Sequence, residues 1–295
     1  MVSNLEQLKD ICKNNPIDYN DLSDKLYKKI VYKEEIYDYN FIITARGRQN
    51  FSKPLFKSVI KATKEVDKKI QLTLLEHSNL KEHEKNCNDL GINYLYLNSK
   101  GDVFNKCLSY NLSVINTKPS KWYVFHDLDC LVQKDFFKNL LENTTENTKA
   151  IQTFHKRRVL YLNDFLTDLI IREELDVNNL KENSEGVSLP KYFGAPGGSI
   201  SVESGIFFEV GGYDPEFFHS YAPEDAFFWE KLSTLTNIKL CENPHNELYH
   251  MNHPILHHSN PNFSYMSSIH NKYKGLVNNK KIEFLQYKKN LYGKS

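Results

Sequence analysis

The stretch His126-Asp127-Leu128-Asp129 places two carboxylates two residues apart inside an apolar run, KWYVFHDLDCLV (121–132). In a strand, residues i and i+2 share a face, so Asp127 and Asp129 are expected to point the same way. Like charges that close drive one pKa upward unless a cation lies between or beside them. Carboxylate oxygens suit Mg2+ or Mn2+, which makes a divalent metal the natural partner. The plain alternative is a polar strand end bonded to a neighbouring loop. A later stretch, ELYHMNHPILHHSNP (247–261), offers imidazoles to the same ion, with His250 and His253 three residues apart. Each of these histidines also fits a surface residue or a satisfied core group.

Two further groups carry charge at suggestive spacings. Arg46 and Arg48 flank Gly47 in TARGR (44–48), where two guanidiniums can clamp a phosphate or carboxylate, or simply stand in solvent. Lys106, in the FNK that opens a helical segment, can join the same anion site. Glu224 and Asp225, in YAPEDAFFWEKL, sit where a helix dipole favours acidic groups. One of them can equally serve as a general base toward an acceptor hydroxyl. The nearby aromatics Phe217, Phe218, Tyr221, Phe227, Phe228 and Trp229 supply core and, among them, a candidate platform for stacking a sugar.

The elements that must position these groups follow from the apolar pattern. Residues 39–45, 69–78, 92–98 and 121–132 read as strands, with helical segments near 51–66, in LKEHEKNCNDLG (80–91) and across 102–117. Gly91 marks the stop of the second helix. Alternating strands and helices imply a mostly parallel sheet with right-handed crossovers, and ligands gather beyond its carboxyl edge. That edge collects Thr44, Arg46, Arg48, Glu76 and the HDLD stretch as candidate contacts to a bound cofactor. Beyond residue 150 the pattern predicts a helix over 159–175, a strand over 198–204, a turn at GGYDPEF (211–217) and a helix opening at Pro223. The expected organisation is an N-terminal helical extension (1–37) with no strand of its own, a single α/β domain (38–270) and a C-terminal tail (271–295).

Composition narrows the function classes. In 295 residues, 38 Lys and Arg stand against 37 Asp and Glu, so no basic excess recommends a nucleic-acid partner. Five widely spaced cysteines without a C-x-x-C argue against a disulfide framework or a zinc ribbon. No window approaches the roughly 18 apolar residues of a membrane span, and the first residues lack a signal-peptide core. The sequence is read as cytoplasmic, with peripheral membrane association and oligomeric state left open.

Taken in order along residues 40–258, these pieces resemble the glycosyltransferase-A (GT-A) fold nucleotide-sugar transferases. The β-1,4-galactosyltransferase-like and chondroitin-polymerase-like branch is the nearest in pattern. FIITARGRQNF is similar to that branch's opening strand and arginine-bearing nucleotide loop, and DVFNKCLSYN to its F-N-(R/K)-A helix. FHDLD matches the D-x-D. YFGAPGGSISVESGIFFEVGGYDPEFFHSYAPEDAFFWEKL resembles its most specific segment, and LYHMNHP its closing histidine motif. The chain departs from the branch in HSYAPED, where a Trp-Gly-rich approach is usual, and in the two added residues Ala195-Pro196.

The resemblance implies an α/β fold built on one Rossmann-like, mostly parallel sheet flanked by helices, with a small acceptor-side subregion. It implies Mn2+ or Mg2+ as cofactor, a UDP-sugar donor, a glycan or glycoconjugate acceptor and an inverting hexosyl or N-acetylhexosaminyl transfer. Asp129 would bind the metal with His250 or His253, and Asp127 would reach the metal or the ribose. Arg46, Arg48, Phe104 and Lys106 would contact the nucleotide, and Gly198 would admit the donor sugar. Asp225 would be the base, with Glu224 holding a hydroxyl. Two alternatives remain: a non-catalytic nucleotide- or glycan-binding module, and a D-x-D phosphatase of the haloacid-dehalogenase type. In those phosphatases the motif lies on the first strand, whereas three strands precede it here.

Overall fold

The computed structural model describes residues 3–31, 36–154, 158–189, 197–235, 238–240, 246–254 and 260–292. The chain opens with helices α1 (Asn4–Asn14) and α2 (Tyr19–Asp24), each capped by a side chain, Ser3 and Asp18. Strand β1 (Tyr27–Lys29) follows and pairs antiparallel with β4 (Asn93–Asn98). The expectation of a strandless extension over 1–37 is therefore corrected. All three β1 residues are exposed, so this edge strand, held by its backbone pairing and by the Tyr27 hydroxyl donating to Glu84, leaves no apolar signature.

The parallel part of the main sheet runs β4-β3-β2-β5, with β2 (Tyr37–Ala45), β3 (Ile70–Ser78) and β5 (Ser120–Asp127). Its crossovers are α3 (Gln49–Thr63), α4 (Glu84–Leu90) and α5 (Lys106–Ile115). Gly91 ends α4 in the left-handed conformation, φ +68°, as the sequence suggested. In β2, Phe41 and Ile43 enter one core while Ile42 enters another. Burial on both faces explains why these strands read as unbroken apolar runs.

The fourth predicted strand is divided. Strand β5 stops at Asp127, Leu128 and Asp129 form a turn, and β6 (Cys130–Val132) belongs to a second, four-stranded sheet. Beyond β6 come α6 (Phe136–Asn143), β7 (Ala150–Gln152) and β8 (Val159–Leu162). The helix predicted over 159–175 is corrected to β8 plus α7 (Asp164–Ile171). Leu160 and Leu162 are buried and Tyr161 exposed, a period of two, and the Asn163 side chain caps α7 by accepting from the Leu166 amide.

Strands β9 (Val187–Ser188) and β12 (Leu248–His250) complete the second sheet in the order β6-β12-β8-β9. In the main sheet β10 (Ser199–Glu203) runs antiparallel to β5 and β7, and β11 (Ile238–Leu240) runs parallel to β7. Helices α8 (Ser204–Glu209), α9 (Glu224–Leu235), α10 (Phe263–Lys274) and α11 (Asn278–Tyr292) pack with α1 around the second core. Among the described residues no helix is long and apolar enough to cross a membrane.

Candidate active site

The turn at Leu128-Asp129 separates the two carboxylates that a continuous strand would have kept on one face. The Asp127 amide donates to the Gly198 carbonyl (3.0 Å), the last rung between β5 and the chain entering β10. His126, wholly buried, contacts the Cys130 carbonyl through Nε2 (2.5 Å) and so staples the turn from below. A carbonyl needs a donor, which makes Nε2 the protonated nitrogen. Burial pushes the His126 pKa down to about 4, so this ring is neutral.

Asp129 looks toward the second sheet. Its Oδ2 lies 2.9 Å from His253 Nε2, 3.8 Å from His250 Nε2 and 2.6 Å from an Arg48 nitrogen. Ligand atoms of Asp129, His250 and His253 all fall within 4.8 Å of one another. Burial alone would raise the Asp129 pKa, but His253, His250 and Arg48 hold it well below the ordinary carboxylate range. His250 is carried by β12 and stacked on Tyr161 at 4.6 Å between centroids. Its Nδ1 is buried with no hydrogen-bond partner, and burial lowers its pKa toward the neutral, ligating form. One carboxylate oxygen and two imidazole nitrogens form a mixed donor set for a divalent cation such as Mn2+, with Nε2 the His250 nitrogen that faces Asp129.

Asp127 looks the other way, to Lys106. The Asn105 side chain caps α5 by accepting from the Leu108 amide, which fixes Lys106 as the first helical residue. The Lys106 ammonium touches three carboxylates: Asp127 at 2.7 Å, Asp225 at 3.0 Å and Glu224 at 3.2 Å. Burial would lower the Lys106 pKa, yet Asp127 and Asp225 outweigh it and keep the lysine charged. Burial raises Asp225, with Lys106 opposing and Asp127 reinforcing. Glu224 is pushed up to about 8, by burial first and by Asp225 against the opposing lysine. Its Oε2 is buried and unpartnered.

A group whose folded pKa is raised costs stability as pH climbs from its unfolded value to its folded one. Wild-type stability is therefore expected to fall between the ordinary glutamate range and about pH 8 through Glu224. Thermal midpoints of Glu224→Gln and wild type, compared from pH 5 to 8, should diverge in favour of the variant as pH rises. Parallel curves would refute the raised pKa.

The remaining predicted residues are distributed as follows. Thr44 lies opposite Asp127 in the β2–β5 register. Arg46 donates to the Asp102 carbonyl at 2.6 Å, and Arg48 adopts the left-handed conformation, φ 56°, directly before α3. The Phe104 carbonyl accepts from the Ser220 amide. Glu76 is fully buried and its carboxylate accepts from the Ser78 hydroxyl, the Glu82 and His83 amides and the Tyr94 hydroxyl. The structure thus gives Glu76 a loop-anchoring network and does not bring it to either charged cluster. Gly198 has φ +101°, but the neighbouring Gly197 is the one that borders the carboxylates: a Cβ there would lie 2.9 Å from Asp225 Oδ2. Ala195 and Pro196, the added pair, and His257 and His258 lie outside the described residues.

Of the candidate aromatics, Phe217, Phe218, Phe227 and Phe228 are core. Tyr221 is 52% exposed and stacks on Phe263 of α10, 5.6 Å between centroids at 25°. Phe263 carries no motif, so only the fold reveals this pair beside Glu224.

No protein-family model matches the sequence, and no curated protein matches it. Solved structures do. The catalytic domain of Drosophila β1,4-galactosyltransferase 7, in complex with xylobiose, aligns at 12% identity over 73% of this chain and 71% of that one, TM-score 0.46. Glucosyl-3-phosphoglycerate synthase from Mycobacterium tuberculosis, in complex with Mn2+, UDP and glucosyl-3-phosphoglycerate, aligns at 14% identity over 90% and 80%, TM-score 0.44. The mannosyltransferase PcManGT from Pyrobaculum calidifontis, in complex with GDP-Man and Mn2+, aligns at 9% identity over 88% and 70%, with the higher TM-score of 0.52. That last likeness, together with the parallel sheet and its divided D-x-D edge, gives the chain the GT-A fold.

Proposed function

We propose that this chain is an inverting, metal-dependent glycosyltransferase that moves a hexosyl or N-acetylhexosaminyl group from a UDP-sugar to a hydroxyl acceptor. The observation that carries the reading is the pairing of two different clusters across one turn. Asp129, His250 and His253 form a cation-binding set, and Lys106 gathers Asp127, Glu224 and Asp225 on the other side. The solved mannosyltransferase PcManGT, of the same fold, is a complex with GDP-Man and Mn2+.

A divalent cation held by Asp129, His250 and His253 would supply Lewis-acid stabilisation of the departing diphosphate. Arg48, which pairs with Asp129 and is partly exposed, is the cation placed beside that set to meet a diphosphate. Gly197 and Gly198 keep the chain entering β10 free of side chains beside Asp225, leaving room for the donor sugar. Asp225 accepts the proton of the acceptor hydroxyl as the latter attacks the anomeric carbon from the face opposite the diphosphate. Glu224, which holds its proton at neutral pH, donates a hydrogen bond to a sugar hydroxyl. Tyr221 and Phe263 present an aromatic face for the acceptor.

The test is a panel of UDP-sugars carrying galactose, N-acetylgalactosamine, N-acetylglucosamine or glucose, with GDP-mannose added, assayed for Mn2+-dependent hydrolysis without acceptor. One donor should be hydrolysed and protected by chelation. Absence of both hydrolysis and Mn2+-dependent binding across the panel would overturn the reading, and phosphate release from small phosphoesters would favour the phosphatase.

A further inference from the structure

The contact between Lys106 and Asp225 joins two helices, α5 and α9, that reach the site from different parts of the chain. Both are fastened to one piece of backbone, the GGYDPEF turn. From α5, Asn111 uses both halves of its amide on Tyr213: Oδ1 accepts from the Tyr213 amide (2.9 Å) and Nδ2 donates to the Tyr213 carbonyl (3.0 Å). Asn105, at the helix cap, donates to the Pro215 carbonyl (3.0 Å). From α9, the Lys231 ammonium donates to the Gly212 carbonyl (2.5 Å) and the Val210 carbonyl (3.2 Å), and pairs with Asp214 at 2.5 Å.

The Tyr213 ring lies between the same two helices, stacked on Phe228 of α9 at 4.0 Å and packed on Tyr110 of α5 at 5.0 Å. Tyr110 in turn donates to the His126 carbonyl, beside Asp127. Gly212 is required for this fit, because its φ is +62° and a Cβ would lie 2.8 Å from Asn111 Oδ1. Lys288 of α11 closes the network by pairing with Asp214 and Glu216, all with side chains almost wholly buried.

Buried ion pairs of this kind are seldom a source of net stability, since two well-packed apolar groups would often serve as well. Their directional bonds can instead fix one arrangement. We propose that the turn from Val210 to Glu216 is the gauge that sets the Lys106–Asp225 spacing, with Asn111 and Lys231 as its positioning residues. Neither touches the reacting groups. The proposal rests on the glycosyltransferase reading for its kinetic arm only.

The paired variant Lys231→Met/Asp214→Asn removes one positive and one negative charge and leaves Lys288 matched with Glu216. Crystal structures of variant and wild type, superposed on the parallel strands, should show the start of α9 displaced and Lys106 out of bonding distance of Asp225. In the kinetic arm, kcat for transfer should fall roughly 10- to 100-fold, because a misplacement of about 1 Å costs on the order of 10²-fold. The donor KM and Mn2+ affinity should stay at wild-type values, and kcat is referred to the folded fraction counted by Mn2+ stoichiometry, because loss of folded protein by itself lowers only the apparent kcat. Gly212→Ala, which pushes on Asn111 without touching a charge, should act in the same direction and serves if the paired variant does not fold. A preserved Lys106–Asp225 contact with unchanged kcat in the folded variants would overturn the proposal. If the wild type transfers no sugar at all, the glycosyltransferase reading fails, and the structural comparison still decides the gauge.

Discussion

Asp225→Asn is expected to lower glycosyl transfer by roughly 10²–10⁴-fold, the usual worth of a positioned general base. The substitution keeps the volume of the side chain and an oxygen for Lys106, so the packing against Gly197 and the helix start is retained. What is lost is the ability to take a proton. Burial raises the Asp225 pKa above the ordinary aspartate value, which makes it a stronger base than a surface carboxylate. Because the working form is the carboxylate, wild-type kcat should fall as pH drops through that raised value, and the residual rate of Asp225→Asn should lose this acidic limb. Mn2+ and nucleotide binding should be unchanged, because the cation-binding set lies on the other side of the Leu128-Asp129 turn. Asp127 shares the same lysine and is the natural rival. Asp127→Asn should therefore be measured alongside, and near wild-type turnover in Asp225→Asn with collapse in Asp127→Asn would move the base to Asp127.

The parts of this site that could be read from the sequence are those whose signal is local. The parallel strands announced themselves because both faces are buried, and the glutamate-aspartate helix start is a short-range pattern. The turn inside HDLDCLV was not legible. Leu128 and Cys130 are buried in the turn and second sheet as fully as they would be in a continued strand, so apolar pattern cannot distinguish the two. The consequence was chemical: a shared face for Asp127 and Asp129 became two clusters facing apart. His126 had no readable role because its partner is a main-chain carbonyl created by that turn. The grouping of Lys106 with Asp225 depends on a contact 119 residues apart, and Tyr221 with Phe263 likewise on how α10 packs. Glu76 shows the reverse error. A polar residue at a strand end looks like a ligand contact until its oxygens are found accepting from a loop and a tyrosine.

Asp129→Asn is the complementary experiment, and it is expected to remove metal dependence while leaving the Lys106 cluster assembled. Loss of an outer-shell partner alone costs about 10–100-fold in metal affinity. Loss of the carboxylate on which His250, His253 and Arg48 all converge should reach at least the upper end of that range. Arg48 is 36% exposed in its side chain and can turn to water, so the fold should survive without its counter-charge. Titration of Mn2+ into wild type, Asp129→Asn, His250→Ala and His253→Ala, followed by calorimetry or the Mn2+ resonance signal, separates the contributions. His253 already bonds Asp129 at 2.9 Å, whereas His250 reaches it only at 3.8 Å and has an Nδ1 without a partner. Both alanine variants should weaken Mn2+ if the three residues act together, and a loss confined to one would name that histidine as the ligand. Crossing the two experiments gives the strictest outcome: Asp225→Asn binds Mn2+ without transferring sugar, and Asp129→Asn keeps the Lys106 contacts without binding Mn2+. An unchanged Mn2+ isotherm in Asp129→Asn would remove the cation from this site, and with it the assignment of the Asp129, His250 and His253 set.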